Sequence, residues 1–262
     1  MPHTPTTQSS QTIISPADDD WVRQASGAPA RQGDLAHPVF AYLGALGGLD
    51  TAIGDFARRL GLDFDAGPVL GRCEIAFPTA LRVGRTYRVD LQVTDRQRKA
   101  SRKYGTADHL GLEISLSSEG TVASRLRFTM ITPAGPVQEG TVTVPPPVAD
   151  LENSRAFGPV PGDDMAIWCR LLNDENAIHL SQDAARRAGF GPRRVNPGPA
   201  NLAFLIAYRM QAYPARPLSH VTAQFLDNVF ENDVLQLSLD ASGHHGLITR
   251  DGHALLAATF TE

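Results

Sequence analysis

Residues 171–199 read LLNDENAIHLSQDAARRAGFGPRRVNPGP, and the rest of the chain is best read outward from them. An acid, an amide and an imidazole, Asp174, Asn176 and His179, fall within six residues. Such spacing predicts a tight turn carrying two titratable groups, followed by a short helix of small residues from Asp183 to Gly189. A loop rich in Gly and Pro comes next. Beyond it a long apolar helix begins near Gly198, with Leu202, Leu205, Ile206, Tyr208 and Met210 at helical spacing. The helix N-terminus is thereby aimed at the neighbourhood of the turn.

Upstream, the same kind of order is visible once more. Pro38 to Leu62 places Phe40, Leu43, Leu46, Leu49, Ile53, Phe56 and Leu60 at helical spacing, with Pro38 suited to a first turn and Gly61 to a stop. Glycines 44, 47 and 48 weaken this helix by about 1 kcal/mol each, which makes sense where something packs closely on that face. From Pro68 the period changes to two. Val69–Phe77, Thr86–Val93, Leu110–Leu116 and Thr121–Ile131 read as strands, and Thr141–Val144 as one more. In the second half, His220–Leu226, Val234–Leu239, Gly246–Thr249 and Ala254–Thr261 read likewise, with His244 and His245 at a hairpin tip. Helix followed by strands thus occurs twice, which predicts an α+β chain of two repeats. Pro145-Pro146-Pro147 cannot donate to a sheet and marks the boundary between 21–146 and 147–262. Residues 1–20, polar and without period, are expected to be a disordered tail, with order beginning at Trp21.

Composition excludes several classes. Hydrophobic residues make up 42% and charged residues 20% of 262, with a net charge of −4 and no long basic block, so nucleic acid is not an expected partner. No apolar run approaches the roughly 20 residues of a membrane helix, and the N-terminus lacks the pattern of a secretory signal. Cys73 and Cys169 form neither a disulfide framework nor a zinc set; a reducing cytoplasm fits, with both thiols buried. No metal-ligand spacing is visible.

The turn and its surroundings resemble the MaoC-like hydratases and dehydratases of the double hot-dog kind. That family's signature runs Gly-Asp-x-Asn-Pro-x-His, then a spacer, an Ala, and Gly-Phe. Asp174, Asn176, His179, Ala185 and Gly189-Phe190 stand at the matching places. VNPGPANLAFL, residues 195–205, is similar to the loop that leads into the family's central helix, and RKASRKYG, residues 98–105, to its degenerate first repeat. The chain departs at Asn173 (Gly in the family), Ala177 (Pro), Asn196 (commonly His) and one extra loop residue. Asn tolerates left-handed backbone, so Asn173 can replace the Gly. The resemblance implies a double hot-dog, each repeat a long helix wrapped by an antiparallel sheet. It also implies a substrate held as a coenzyme A or acyl-carrier-protein thioester, with no other cofactor.

Hydrating a conjugated thioester requires a water held at the β-carbon, a proton for the α-carbon, and a site for negative charge on the thioester oxygen. His179 can act as acid or base near neutrality, and Asp174 is close enough to share one water with it. Asn176 is expected to fix the turn or the water. The oxygen would meet backbone N–H groups near Gly198, where the helix dipole favours negative charge and glycine permits close approach. Asn196 lies in the same loop. Arg193 and Arg194 are candidates for a substrate phosphate or carboxylate. The cluster Arg96, Arg98, Lys99, Arg102 and Lys103 would suit a coenzyme A phosphate or an acidic carrier protein, or would simply be a solvated edge. The pairs Asp34/His37 and Asp108/His109 lack the spacing of the turn, so one site is expected, the first repeat supplying part of the acyl pocket. A hot-dog thioesterase and a non-catalytic acyl-thioester binder remain as alternatives, and monomer and homodimer are both compatible.

Overall fold

The computed structural model describes residues 7–63, 69–101, 105–134 and 153–262. The proline run at 145–147, the strand expected at 141–144, and Arg102 and Lys103 lie outside them. The first half contains β1 (Thr7–Ile13), α1 (Pro16–Ser26), α2 (Phe40–Gly47), α3 (Ile53–Arg59), β2 (Val69–Ala76), β3 (Thr86–Ser101), β4 (Gly105–Ser118) and β5 (Thr121–Pro133). In the second are β6 (Asn153–Phe157), α4 (Asp164–Leu172), α5 (Gln182–Arg187), α6 (Gly198–Ala212), β7 (His220–Phe225), β8 (Leu235–Leu239), β9 (His245–Arg250) and β10 (His253–Thr261).

These strands form one antiparallel sheet in the order β1-β3-β4-β5-β2-β7-β10-β9-β8-β6. Read from either edge inward, the order is that of one repeat: first, third, fourth, fifth, second. The seam is β2 against β7, from Arg72 opposite Gln224 to Ala76 opposite His220. The halves therefore share backbone hydrogen bonds as well as side-chain packing.

The helices cross over between the halves. Helix α1 packs on α6, and α4 packs on α2, so each half's first helix lies against the other half's apolar helix. Trp21 of α1 meets Trp168 of α4 edge-on at 5.0 Å, Trp168 meets Phe204 of α6 at 6.3 Å, and Arg170 reaches Asp18 at 2.8 Å. Helix α6 is buried at every position from Pro199 to Ala207, as expected for a helix apolar all round.

Two expectations need correction. The tail expected over residues 1–20 is not disordered from Thr7 on: β1 pairs with β3 from Thr7–Gln92 to Ile13–Thr86. Helix α1 then starts inside the supposed tail, with Ser15 capping the N–H of Asp18 and Pro16 in the first turn. The segment reads as polar because β1 is an edge strand. The Pro38–Leu62 helix is also not continuous; it breaks between Gly47 and Ile53 into α2 and α3. A Cβ on Gly47 would stand 2.2 Å from the carbonyl oxygen of Leu171, and one on Gly48 2.7 Å from Thr12 and 2.8 Å from Val89. The glycines let the end of α4 and the strands β1 and β3 press against the break.

Candidate functional site

Helix α4 ends at Leu172, and Asn173 closes it in the left-handed conformation at φ 51°, where the resemblance has Gly. The N–H of Asp174 then returns to the carbonyl of Cys169 at 2.9 Å. Asn173 also donates through its side chain to the carbonyl of Leu49 at 3.3 Å, tying the turn to the break after α2.

From this point the chain folds on its own polar groups. One carboxylate oxygen of Asp174, Oδ1, accepts from the N–H of Asn176 at 2.9 Å. Asn176 Oδ1 caps the N–H of Ile178 at 3.3 Å, opening a single 3₁₀ turn over Ala177–His179. Asn176 therefore fixes the turn. The other oxygen of Asp174, Oδ2, is left facing His179 Nε2 at 3.6 Å. That separation is too long for a direct hydrogen bond, but one water set to the side can reach both atoms at about 2.8 Å.

His179 is nearly buried, and its ring is oriented by a loop. Nδ1 stands 2.7 Å from the carbonyl oxygen of Val195, which can only accept, so Nδ1 carries the proton and donates. The neutral ring then presents a lone pair at Nε2, toward Asp174. The N–H of Val195 returns to the carbonyl of Ile178 at 3.1 Å, latching the loop to the turn at two points. Ile178, Ala185 and Val195 form a small buried cluster with Phe190 and Phe230 around it. This explains the spacing of Ala185 and Gly189-Phe190: the short α5 and its Gly189, at φ 83°, fold Phe190 back over the turn.

Arg193 and Arg194 do not line the cleft, contrary to their expected role. Arg194 Nε donates to Glu231 at 2.7 Å, Arg193 donates to Asp233 at 2.6 Å, and Arg193 lies over the Phe230 ring. Both acids are buried. Burial by itself would raise the Glu231 carboxyl, yet the bonds from Arg194 and Gln182 outweigh it and hold the group below its ordinary range. The two arginines clamp the loop that carries Val195 from behind.

A cleft of about 470 Å³ opens over the turn. Asp174, Asn176, His179, Asn196 and Gly198 line it, so the structure brings these predicted residues together. The floor and far wall are largely apolar and come from both halves, including Leu46, Ile53, Phe128 and Met130 of the first. At the tip of α6, Pro199 has no N–H, so Gly198 supplies the donor there. A Cβ on Gly198 would come 3.1 Å from the Phe225 ring and 3.3 Å from Leu70, so the seam strands press directly on the helix tip.

Three lining residues escape a reading by sequence. Asn201, one turn into α6, accepts from the side chain of Asn196 at 2.6 Å, and both are buried. Tyr42 on α2 and His109 on β4 enter from the first half. Burial, then the charge of Lys99, lowers the pKa of His109. A buried Asn partner and residues contributed across a repeat boundary leave no local spacing to detect. Cys73 and Cys169 are buried, and burial pushes both thiols up to about 12, so neither is a nucleophile near neutrality. Among the described residues, no three His, Cys, Asp or Glu side chains converge as a metal site, and no helix is long and apolar enough to cross a membrane.

No protein-family model and no curated protein sequence matches the chain; its likeness to known proteins lies in structure. It is similar to HtdX (Rv0241c) of Mycobacterium tuberculosis, with a TM-score of 0.73 at 16% identity over 98% of this chain and 99% of that one. A MaoC-like dehydratase from Phytophthora capsici superimposes with a TM-score of 0.71 at 13% identity, over 100% of this chain and 96% of that one. The double-hotdog protein RV0216 of Mycobacterium tuberculosis gives 0.65 at 14% identity, over 98% and 94%. The chain has the double hot-dog fold, and the resemblance to the MaoC-like proteins is borne out at that level.

Proposed function

We propose that this chain, a double hot-dog protein built like the MaoC-like dehydratases, adds or removes water across the α,β double bond of an acyl thioester. The observation that carries the reading is the facing of Asp174 Oδ2 and His179 Nε2, 3.6 Å apart, at the wall of a cleft otherwise largely apolar. In the hydration direction, His179 Nε2 takes a proton from the shared water as its oxygen bonds to the β-carbon. The electron pair of the double bond moves onto the thioester oxygen, which rests at the Gly198 N–H and the positive end of α6. The acid–base pair then returns a proton to the α-carbon, and dehydration retraces these steps.

The substrate is proposed to arrive on coenzyme A or an acyl carrier protein. Ala100 and His109 place the β3–β4 arm at the cleft. Arg96 and Lys99 on that arm are the cations suited to phosphates or an acidic carrier, whereas Arg98 is held by both oxygens of Asp108 at 2.8 and 2.7 Å. The chemistry asks for no resident metal.

The test is to incubate the protein with crotonyl-CoA, and with crotonyl carrier protein, while following the conjugated-thioester absorbance and free thiol. Loss of absorbance without thiol release is expected. Thiol release would instead mean a thioesterase, and silence with both carriers would mean a binding protein.

A further inference from the structure

The cleft wall contributed by the first half is largely apolar, broken by His109 on β4 and by one phenol on α2. Tyr42 lies in α2 among Leu46, Phe128 and Met130, its ring 5.7 Å from that of Phe128. The residue is 2% exposed. Among the described residues its hydroxyl has no hydrogen-bond partner, yet it is not one of the polar atoms sealed away from solvent. A phenol in such surroundings has no protein acceptor, so its O–H is available to donate to a group held in the cleft. Asp174 lies close enough for its charge to act on this phenol. Burial first, then Cys73 and Asp174, keep the hydroxyl protonated well above its ordinary range, so it serves as a donor.

From this placement we infer that Tyr42 is a third polar contact to the reacting oxygen: it donates a hydrogen bond to the water, or to the β-hydroxyl formed from it, that Asp174 and His179 share. The inference rests on the hydro-lyase reading for the identity of that oxygen. It gives the first half a direct part in the chemistry. Asp174 and His179 come from one repeat and Tyr42 from the other, so an oxygen on the β-carbon would be held by both repeats. A plain alkyl chain at the same place would leave the phenol without an acceptor, and the site would discriminate against it.

The experiment measures binding of two unreactive thioethers, 3-hydroxybutyl-CoA and butyl-CoA, by calorimetry. Neither has the carbonyl that makes elimination possible, so no turnover disturbs the titration. Wild-type protein is expected to bind the hydroxyl compound at least about tenfold more tightly, with Tyr42 alone contributing about tenfold, the worth of one well-placed hydrogen bond. Tyr42→Phe keeps the ring and its packing on Phe128. It should cut that preference by about tenfold while moving butyl-CoA affinity less than about twofold. Absence of a preference in the wild type, including failure to bind either compound, would overturn the assignment, as would an undiminished preference in Tyr42→Phe. Hydration of crotonyl-CoA by the wild type is read separately. Turnover without Tyr42-dependent discrimination sinks only the role of Tyr42, and discrimination without turnover sinks only the reaction.

Discussion

The imidazole of His179 donates from Nδ1 to the carbonyl oxygen of Val195, 2.7 Å away and 16 residues later in the chain. A carbonyl can only accept, so the contact chooses the tautomer and turns the unprotonated Nε2 toward Asp174. If His179 is the general base proposed above, it is prepared by backbone, from a carbonyl that does not itself titrate.

Removing either member of the pair should stop turnover without unfolding the protein. Asp174→Asn keeps the bond from the Asn176 N–H, and His179→Ala removes the base. Each is expected to lower kcat by about 10²–10⁴-fold, with circular dichroism and melting close to wild type. Near-normal kcat in either variant would put the reacting groups elsewhere.

The clamp behind the loop should act on stability. Arg194→Met leaves the buried Glu231 carboxylate without its guanidinium, at a cost of about 3–5 kcal/mol. In urea titrations the double variant Arg194→Met/Glu231→Leu should recover most of that loss. The KM of the folded fraction should stay unchanged. A variant that folds normally but has a much higher KM would return Arg194 to substrate binding.

Gly198→Ala tests the helix tip. Its new methyl would sit 3.1 Å from Phe225, close enough to shift the tip by a few tenths of an ångström. We expect a fall of about tenfold or more in kcat/KM, as for a weakened oxyanion donor, with a melting temperature within a few degrees of wild type. An unchanged rate would place the charge-accepting donor outside α6.

Acid should destabilise the fold through His37, which is fully buried. Burial, and then the charge of Arg23, lower its pKa from 6.5 to about 3. Between those two values the unfolded chain binds the extra proton and the folded chain does not, so stability drops as pH falls below about 6.5. At pH 5 the loss relative to neutrality is about 2 kcal/mol. His37→Asn, which can still accept from the Val39 N–H as Nδ1 does at 3.2 Å, should flatten the pH 5–7 melting profile. An equal slope in wild type and variant would refute the assignment.

What could be read from the residues follows a physical divide. The turn from Asp174 to His179 was legible because its partners are two to five positions apart and the chain closes on itself. Strands β7, β8 and β10 were legible because one face is apolar, and α6 because its apolar spacing is sustained. The edge strands β1 and β6 were not, since TQSSQTI and NSRAF have little to bury and are specified by their neighbours β3 and β8. The break between α2 and α3 was hidden for a related reason: the apolar spacing runs straight through it, and only Leu171 and Thr12, distant in sequence, show why glycines stand there. Arg193 and Arg194 were read as ligand-binding because cations in a glycine- and proline-rich loop commonly meet anions. Here the anions are the protein's own Glu231 and Asp233.

The crossed packing of α1 on α6 and α4 on α2 bears on how such a chain can change over time. The Asp174 turn follows directly from α4, whose Leu171 carbonyl lies against Gly47 in the opposite half. The first half, which carries no Asp-x-Asn-x-x-His of its own, is still the bearing surface on which the other half's Asp174 is aligned. A change there at a position that touches α4 would reach the Asp174 turn, and separating the two halves would take the alignment apart without altering Asp174 or His179 themselves.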